Sequence, residues 1–202
     1  MNKLGKIFIF IGSLLIIGSI ILLAYNNYQE INASKKSKIA LDIIKNNIDT
    51  TNETDTITTG ELIFNENKEM ETTNVLGYDY LGTITIPTLN LELPVMSEYN
   101  YELLNIAPCR YYGSIYTNDL IICAHSYKTH FKYLNKLNQK DIVIFRDING
   151  INYIYEVLEI EILKPNQVSE MINNDFDLTL YTCTNDGQNR ITIRCNLINN
   201  IN

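Results

Sequence analysis

Three hydrophobic regimes follow one another along the chain. Residues 7–25, IFIFIGSLLIIGSIILLAY, carry no charge. About 19 residues rising 1.5 Å each reach across roughly the 30 Å hydrocarbon core of a bilayer. The run exceeds the apolar region of a secretory signal peptide, usually about 7–15 residues. Ala24-Tyr25-Asn26 is a poor cleavage site, and no cysteine follows to accept a lipid. The segment therefore reads as an uncleaved signal anchor preceded by a short N-terminal tail, residues 1–6. Lys3 and Lys6 flank it on one side and Lys35, Lys36 and Lys38 lie farther away on the other. The near lysines have no neighbouring acid, whereas Glu30 is the first charge past the span, so the N-terminus is expected inside and the body outside.

Residues 26–76 form an arm. Ile31, Ile39, Leu41, Ile43 and Ile44 recur among polar helix formers, which predicts a partly amphipathic stalk helix within 26–48. The stretch 49–59, DTTNETDTITT, reads as a polar linker. The expectation for the whole arm is a solvated spacer that holds a domain off the membrane.

From residue 77 the period changes to that of short strands. Residues 81–87 (LGTITIP) alternate, and 91–96 (LELPVM) follow after a turn. Residues 120–125 (LIICAH) are a continuous apolar run, as in a buried strand. Segments 142–146 and 153–163 flank Asp147-Ile148-Asn149-Gly150, where Asn-Gly favours a tight hairpin. Strands at 178–182 and 191–198 complete the set, with short helical pieces at 101–106, 130–137 and 168–173. Many short strands and few helices predict a mainly β domain over 77–202, a closed or nearly closed barrel of about eight strands.

Composition narrows the function classes. With a net charge of −7 and a pI near 4.8, the chain lacks the basic face of a general nucleic-acid binder. The four cysteines, Cys109, Cys123, Cys183 and Cys195, permit three complete disulfide pairings, but their spacing is not that of a small disulfide scaffold. No CxxC is present to suggest a zinc site. Glu98 and Glu102 are too few to form a calcium site, and no cofactor is implied.

Three places carry candidate chemistry. His125 closes the apolar strand 120–124, where a side chain is rigidly held yet meets the surface; His130, five residues on, is the alternative imidazole. Cys183 closes the alternating strand 178–182 and precedes a polar loop, whereas Cys123, inside an apolar run, suits a buried thiol. Arg190 starts the next strand, six loop residues after Cys183, so the two belong at one end of a hairpin. Positions 190, 192 and 194 share one strand face and Ile191 and Ile193 the other. Arg194 is expected to be an ordinary exposed arginine.

The order His…Cys…Arg, with Ala124-His125 at a strand end, Thr179-Leu180-Tyr181-Thr182-Cys183 (TLxTC) and Arg190 opening the next strand, resembles the sortase family. Residues 81–87 and 91–95 also resemble its first strand pair, so the resemblance covers about residues 77–202. It implies a membrane-anchored β-barrel cysteine transpeptidase in the envelope of a bacterium; abundant Ile, Asn and Lys suit a low-GC Gram-positive source. Carried over by position, Cys183 is the nucleophile, His125 the acid/base and Arg190 the oxyanion or substrate donor. Thr182, Tyr127, Phe131 and Tyr112, with Tyr111, are candidates for contacting substrate. The implied partners are secreted proteins with a C-terminal LPXTG-like sorting signal and an amine acceptor such as a peptidoglycan precursor.

These residue types suit peptide transfer, which needs a nucleophile, a proton for the leaving amine and compensation for charge developing on oxygen. An uncoupled Cys–His pair near pH 7.5 holds only about 1% in the thiolate–imidazolium form. Among subtypes, the short segment between Leu163 and Asp177 leaves no room for the inserted helix of class B. No Asp-Pro-aromatic lid precedes the barrel and no apolar anchor follows Ile198, which favours a class D-like or housekeeping-type enzyme over class C. The competing readings are another envelope cysteine endopeptidase and a non-catalytic tethered binding module. Papain-like and NlpC-like proteases place Cys before His, opposite to the order in this chain, and the His-Gly-Cys segment of an L,D-transpeptidase is missing.

Overall fold

In a computed structural model the residues described are 3–52 and 68–201. Nine strands follow one long helix in the order α1 (Lys3–Asn52), β1 (Thr73–Val75), β2 (Tyr78–Ile86), β3 (Leu91–Met96), β4 (Cys109–Tyr112), β5 (Leu120–Cys123), β6 (Ile142–Asp147), β7 (Asn152–Leu163), α2 (Val168–Ile172), β8 (Leu178–Cys183) and β9 (Arg190–Ile201). The hydrogen-bonded order is β1-β2-β3-β4-β5-β8-β9-β7-β6, and β6 returns to pair with β2. Eight strands thus close a barrel and β1 hangs on its edge, as the alternating pattern led us to expect. Two strands had no signal strong enough to be anticipated: β1 has three residues and β4 four.

Closure depends on Gly82. Here β2 meets β3 on one side and β6 on the other, with Gly82 opposite both Val95 and Asp147. A Cβ at Gly82 would lie 2.0 Å from the Arg146 carbonyl oxygen, and its φ of +148° is one that L residues rarely adopt. Inside the ring, alternate residues of every strand point inward and exclude water. Ile84, Val95, Ile122, Phe145, Leu180 and Ile193 are all essentially fully buried. Each such side chain contributes roughly 1.5–3 kcal/mol of burial free energy.

The asparagine–glycine hairpin forms between β6 and β7 as anticipated. Asp147 tightens it by accepting the backbone N–H groups of Asn149 and Ile151 at 3.0 and 2.9 Å. Burial dominates the Asp147 environment and raises its carboxyl pKa from the ordinary range.

The arm differs from a solvated spacer. α1 runs unbroken through the apolar span and on to Asn52, so residues 49–52 of the expected linker are helical; 53–59 lie outside the described residues. Ala33, Ser37, Ala40, Ile44 and Ile48 are buried, a 4-3-4-4 spacing that lines one helix face. Ala40, Ile44 and Ile48 join one apolar cluster on the outside of the barrel with Val75, Tyr80 and Met96 of β1, β2 and β3. The amphipathic pattern that suggested a helix thus marks a docked face. Lys45–Glu92 at 2.8 Å and Asp49–Arg146 at 3.1 Å flank the seam. By contrast, Ile7–Leu23 leaves its apolar side chains exposed, as a segment facing lipid would.

Candidate active site

β5 and β8 are parallel neighbours, with Cys123 opposite Tyr181 as their last pair. The next residues remain tied together: the Ala124 N–H donates to the Tyr181 carbonyl at 3.2 Å, and the Thr182 hydroxyl donates to the Ala124 carbonyl at 2.8 Å. His125 and Cys183 are the following residue on each strand. Adjacent strands lie about 4.8 Å apart, so the imidazole and the thiol leave neighbouring backbones. On the other side of Cys183, Arg190 is its direct antiparallel partner on β9.

Strand parity decides which face these groups occupy. Ile122, Ala124, Leu180 and Ile193 fill the barrel. The alternate set therefore projects outward and contains Tyr181, Cys183 and Arg190, while His125 lies just past the end of β5. Cys183 and Arg190 face each other across β8 and β9, and His125 follows two residues after the end of β5, the parallel neighbour of β8.

The loop beyond Cys183 is locally constrained. The Thr184 N–H donates to the Asn189 carbonyl at 2.9 Å, and the Gly187 N–H to the Thr184 carbonyl at 2.8 Å. The Thr184 hydroxyl also donates to the Asp186 carboxylate, which favours its charged form and lowers its pKa. Arg190 Nη1 donates to the Asn189 carbonyl at 3.1 Å and the Gly187 carbonyl at 3.4 Å. These bonds orient one branch of the guanidinium fork.

Of the four thiols only Cys183 is partly exposed, and none is in a disulfide. Burial pushes Cys109 up to about 12 and raises Cys123 and Cys195 further. Those three resist forming the thiolate that nucleophilic chemistry requires. The two histidines also part company. His125 is half-buried and burial lowers its pKa from 6.5. His130 is 1% exposed, lacks a hydrogen-bond partner at either nitrogen and is held down at about 4 by burial and then by the neighbouring His125.

An aromatic rim surrounds His125. Tyr127 lies 5.0 Å from it, ring centre to ring centre, and its hydroxyl donates to Asn105 Oδ1 at 3.2 Å. Tyr101 meets the imidazole edge-on at 5.5 Å while remaining largely exposed. Tyr99 contacts Tyr111, which in turn contacts Tyr181, all edge-to-face at 5.3 and 5.4 Å. Sequence reasoning missed Tyr99, Tyr101 and Asn105. Their signal was Tyr99-Asn100-Tyr101 in a polar stretch directly after a strand, where tyrosines have no core to fill.

Four expectations need correction. Phe131 belongs to the barrel interior and is fully buried, so it lines no groove. Thr182 is also buried and faces inward; its hydroxyl ties two strands instead of reaching substrate. Tyr112 lines a different recess, with Lys68, Arg110 and Asp119. Arg194 is corrected as well, being 2% exposed where exposure was expected. It donates to Glu161 at 2.7 Å, the Thr179 hydroxyl at 2.9 Å and the carbonyls of Glu170 and Met171 at 2.7 and 3.2 Å. This network fastens α2 to the outer wall. Among the described residues no group of three or more His, Cys, Asp or Glu side chains is placed to hold a metal.

The closed eight-stranded barrel is a sortase-type architecture. The Sortase domain model matches residues 84–198, and the chain belongs to the sortase family. Among solved structures, sortase D5 from Clostridium perfringens is similar at a TM-score of 0.59 and 17% identity, covering 82% of this chain and 99% of that one. Sortase C from Streptococcus pneumoniae gives 0.58 and 19%, covering 78% and 97%. Sortase C from Clostridium perfringens SM101 gives 0.52 and 23%, covering 79% and 89%. These likenesses concern the fold. No curated protein sequence matches the chain.

Proposed function

We propose that the protein is a membrane-anchored transpeptidase that cleaves an LPXTG-like sorting signal and transfers the acyl product to an envelope amine. The observation that carries this reading is the pairing of Cys183, the one partly exposed thiol, with Arg190 across β8 and β9, beside the end of the parallel strand β5 that leads into His125.

In the acylation half, the Cys183 thiolate attacks the threonine carbonyl carbon of the signal. The C–S bond forms as the carbonyl π pair moves to oxygen, where Arg190 donates hydrogen bonds to the developing charge. The carbonyl re-forms, the Thr–Gly C–N bond breaks, and His125 as imidazolium gives its proton to the departing amine. A thioester on Cys183 results. In the second half an incoming amine attacks that thioester, His125 takes the amine's proton, and Cys183 leaves as thiolate. Burial of His125 disfavours its charged form and lowers its pKa. The Tyr99–Tyr111–Tyr181 row and Tyr127 offer apolar faces beside Cys183 and His125, a setting that shields a thioester from water.

The body lies outside the membrane and the N-terminus inside, which gives the site access to secreted clients and an amine such as that of a peptidoglycan precursor. No Asp-Pro-aromatic lid is encoded ahead of the barrel; Tyr101 flanks the imidazole instead, in keeping with a class D-like or housekeeping-type enzyme. The test is mass spectrometry of the protein incubated with LPXTG-variant peptides. An acyl adduct on Cys183 is expected, released by an added amine; absence of any adduct across the series would overturn the reading.

A further inference from the structure

α1 joins the apolar span to the candidate active site without a break. Tyr25 ends the span, and among the described residues the first hydrogen bond to the body comes at Glu30, whose carboxylate accepts the backbone N–H of Lys128 at 2.8 Å. Five residues of helix separate these points, an axial distance of about 7.5 Å. Lys128 lies three residues beyond His125, and Tyr127 between them touches the imidazole. Burial first, then the charges of Tyr101, Glu30 and Tyr25, raise the Tyr127 phenol pKa.

The rest of the docked helix runs away from that end. Contacts follow at Lys45 with Glu92 and at Asp49 with Arg146. From Glu30 to Asp49 the helix extends about 28 Å along the barrel. The buried residues nearest Glu30 are small, Ala33, Ser37 and Ala40, which brings the helix backbone close to the wall. A helix anchored over this length at both ends resists pivoting. Its His125 end is the membrane-proximal end.

We infer that α1 is a strut of fixed length, clamped by Glu30, that holds the His125–Cys183 face within one to two helical turns of the bilayer. The site then selects peptide bonds by their distance from a membrane-inserted segment of the substrate. This rests on the transpeptidase reading for its chemistry, though not for its geometry. Glu30 is a positioning residue: it acts through the Lys128 backbone and the turn that carries His125.

The test uses the full chain in lipid vesicles. Seven helix-forming residues inserted between Asn26 and Asn27 lengthen the strut by about 10.5 Å and turn it by only about 20°, leaving the docked face in place. A fluorophore on Cys183, the partly exposed thiol, reports energy transfer to acceptor-labelled lipid headgroups. Transfer should be efficient in the parent chain and clearly lower with the insertion; equal transfer overturns the strut whatever the activity. For activity, one client carries the sorting peptide directly beside its membrane segment and a second has a seven-residue spacer between them. The insertion should slow processing of the first about tenfold or more, restore it for the second, and leave a soluble peptide within about twofold. Equal processing of both clients by both enzymes overturns selection by distance. A parent chain that processes neither client nor peptide refutes the transpeptidase reading, and the energy-transfer result then decides the strut alone.

Discussion

Thr182 donates its hydroxyl to the carbonyl of Ala124 at 2.8 Å, and each of these residues immediately precedes a member of the candidate catalytic trio. The bond joins β8 to the end of β5 where the backbone ladder runs out. Thr182→Val keeps the shape but leaves a buried carbonyl without this donor, which costs about 1–2 kcal/mol. Peptide turnover should fall by about ten- to a hundredfold as His125 loses its register with Cys183. Thr182→Ser should restore both. Chemical denaturation and turnover of a soluble sorting peptide check the pair; a valine variant with unchanged turnover would show that the tie is purely structural.

Thiol accessibility separates Cys183 from the rest. The native protein should take up one equivalent of an alkylating reagent, and all four cysteines should react after unfolding. Cys183→Ala should abolish both the native labelling and cleavage of the peptide, while Cys123→Ala keeps most of the activity. Intact-mass measurement reads the stoichiometry directly.

His130 makes stability depend on pH. Its folded-state pKa is about 4 against 6.5 for the free side chain, so between these values the unfolded chain binds more protons. The stabilisation is full above about pH 6.5 and is lost as pH falls towards 4, amounting to about 3 kcal/mol. In His130→Phe this slope should vanish from denaturation midpoints measured between pH 7 and 4. His125→Ala, in contrast, should remove turnover with little change in stability.

The imidazole of His125 should titrate below 6.5, since burial disfavours its charged form. The Cys183→Ala protein, which lacks the candidate nucleophile, is the one to follow by NMR. A midpoint at or above 6.5 would mean that burial does not dominate the imidazole's environment.

Arg194 is a buried charge tied into a network on the outer wall. Arg194→Ala removes the partner of Glu161 and leaves the Glu170 and Met171 carbonyls without their donor. A loss of about 3 kcal/mol is expected by urea denaturation. Arg194→Met, which keeps much of the volume, should lose less.

The two errors of greatest consequence share a cause. Arg194 and Thr182 were read by residue type, and each faces the side of its strand that the alternating pattern assigns it: Thr182 inward with Leu180, Arg194 outward with Arg190. What the pattern did not contain was α2, which covers the outer wall over Arg194 and turns a surface position into a buried one. The arm was misread for the same reason. Its stripe of Ala33, Ser37, Ala40, Ile44 and Ile48 is visible in the sequence, but the surface that receives it is assembled from β1, β2 and β3.

Local periodicity was enough to determine the apolar span, the strands β2, β3 and β5 to β9, and the pairing of Cys183 with Arg190, because a six-residue loop leaves a hairpin few alternatives. The choice of imidazole belonged to the tertiary structure. His125 comes beside Cys183 only because β5 pairs in parallel with a strand nearly sixty residues away, and such a pairing leaves no mark in the sequence near either strand. The same holds for Tyr101 against His125 and for Glu30 against the Lys128 backbone. Side-chain period is a property of each strand or helix alone, whereas proximity between distant elements exists only once the barrel has closed.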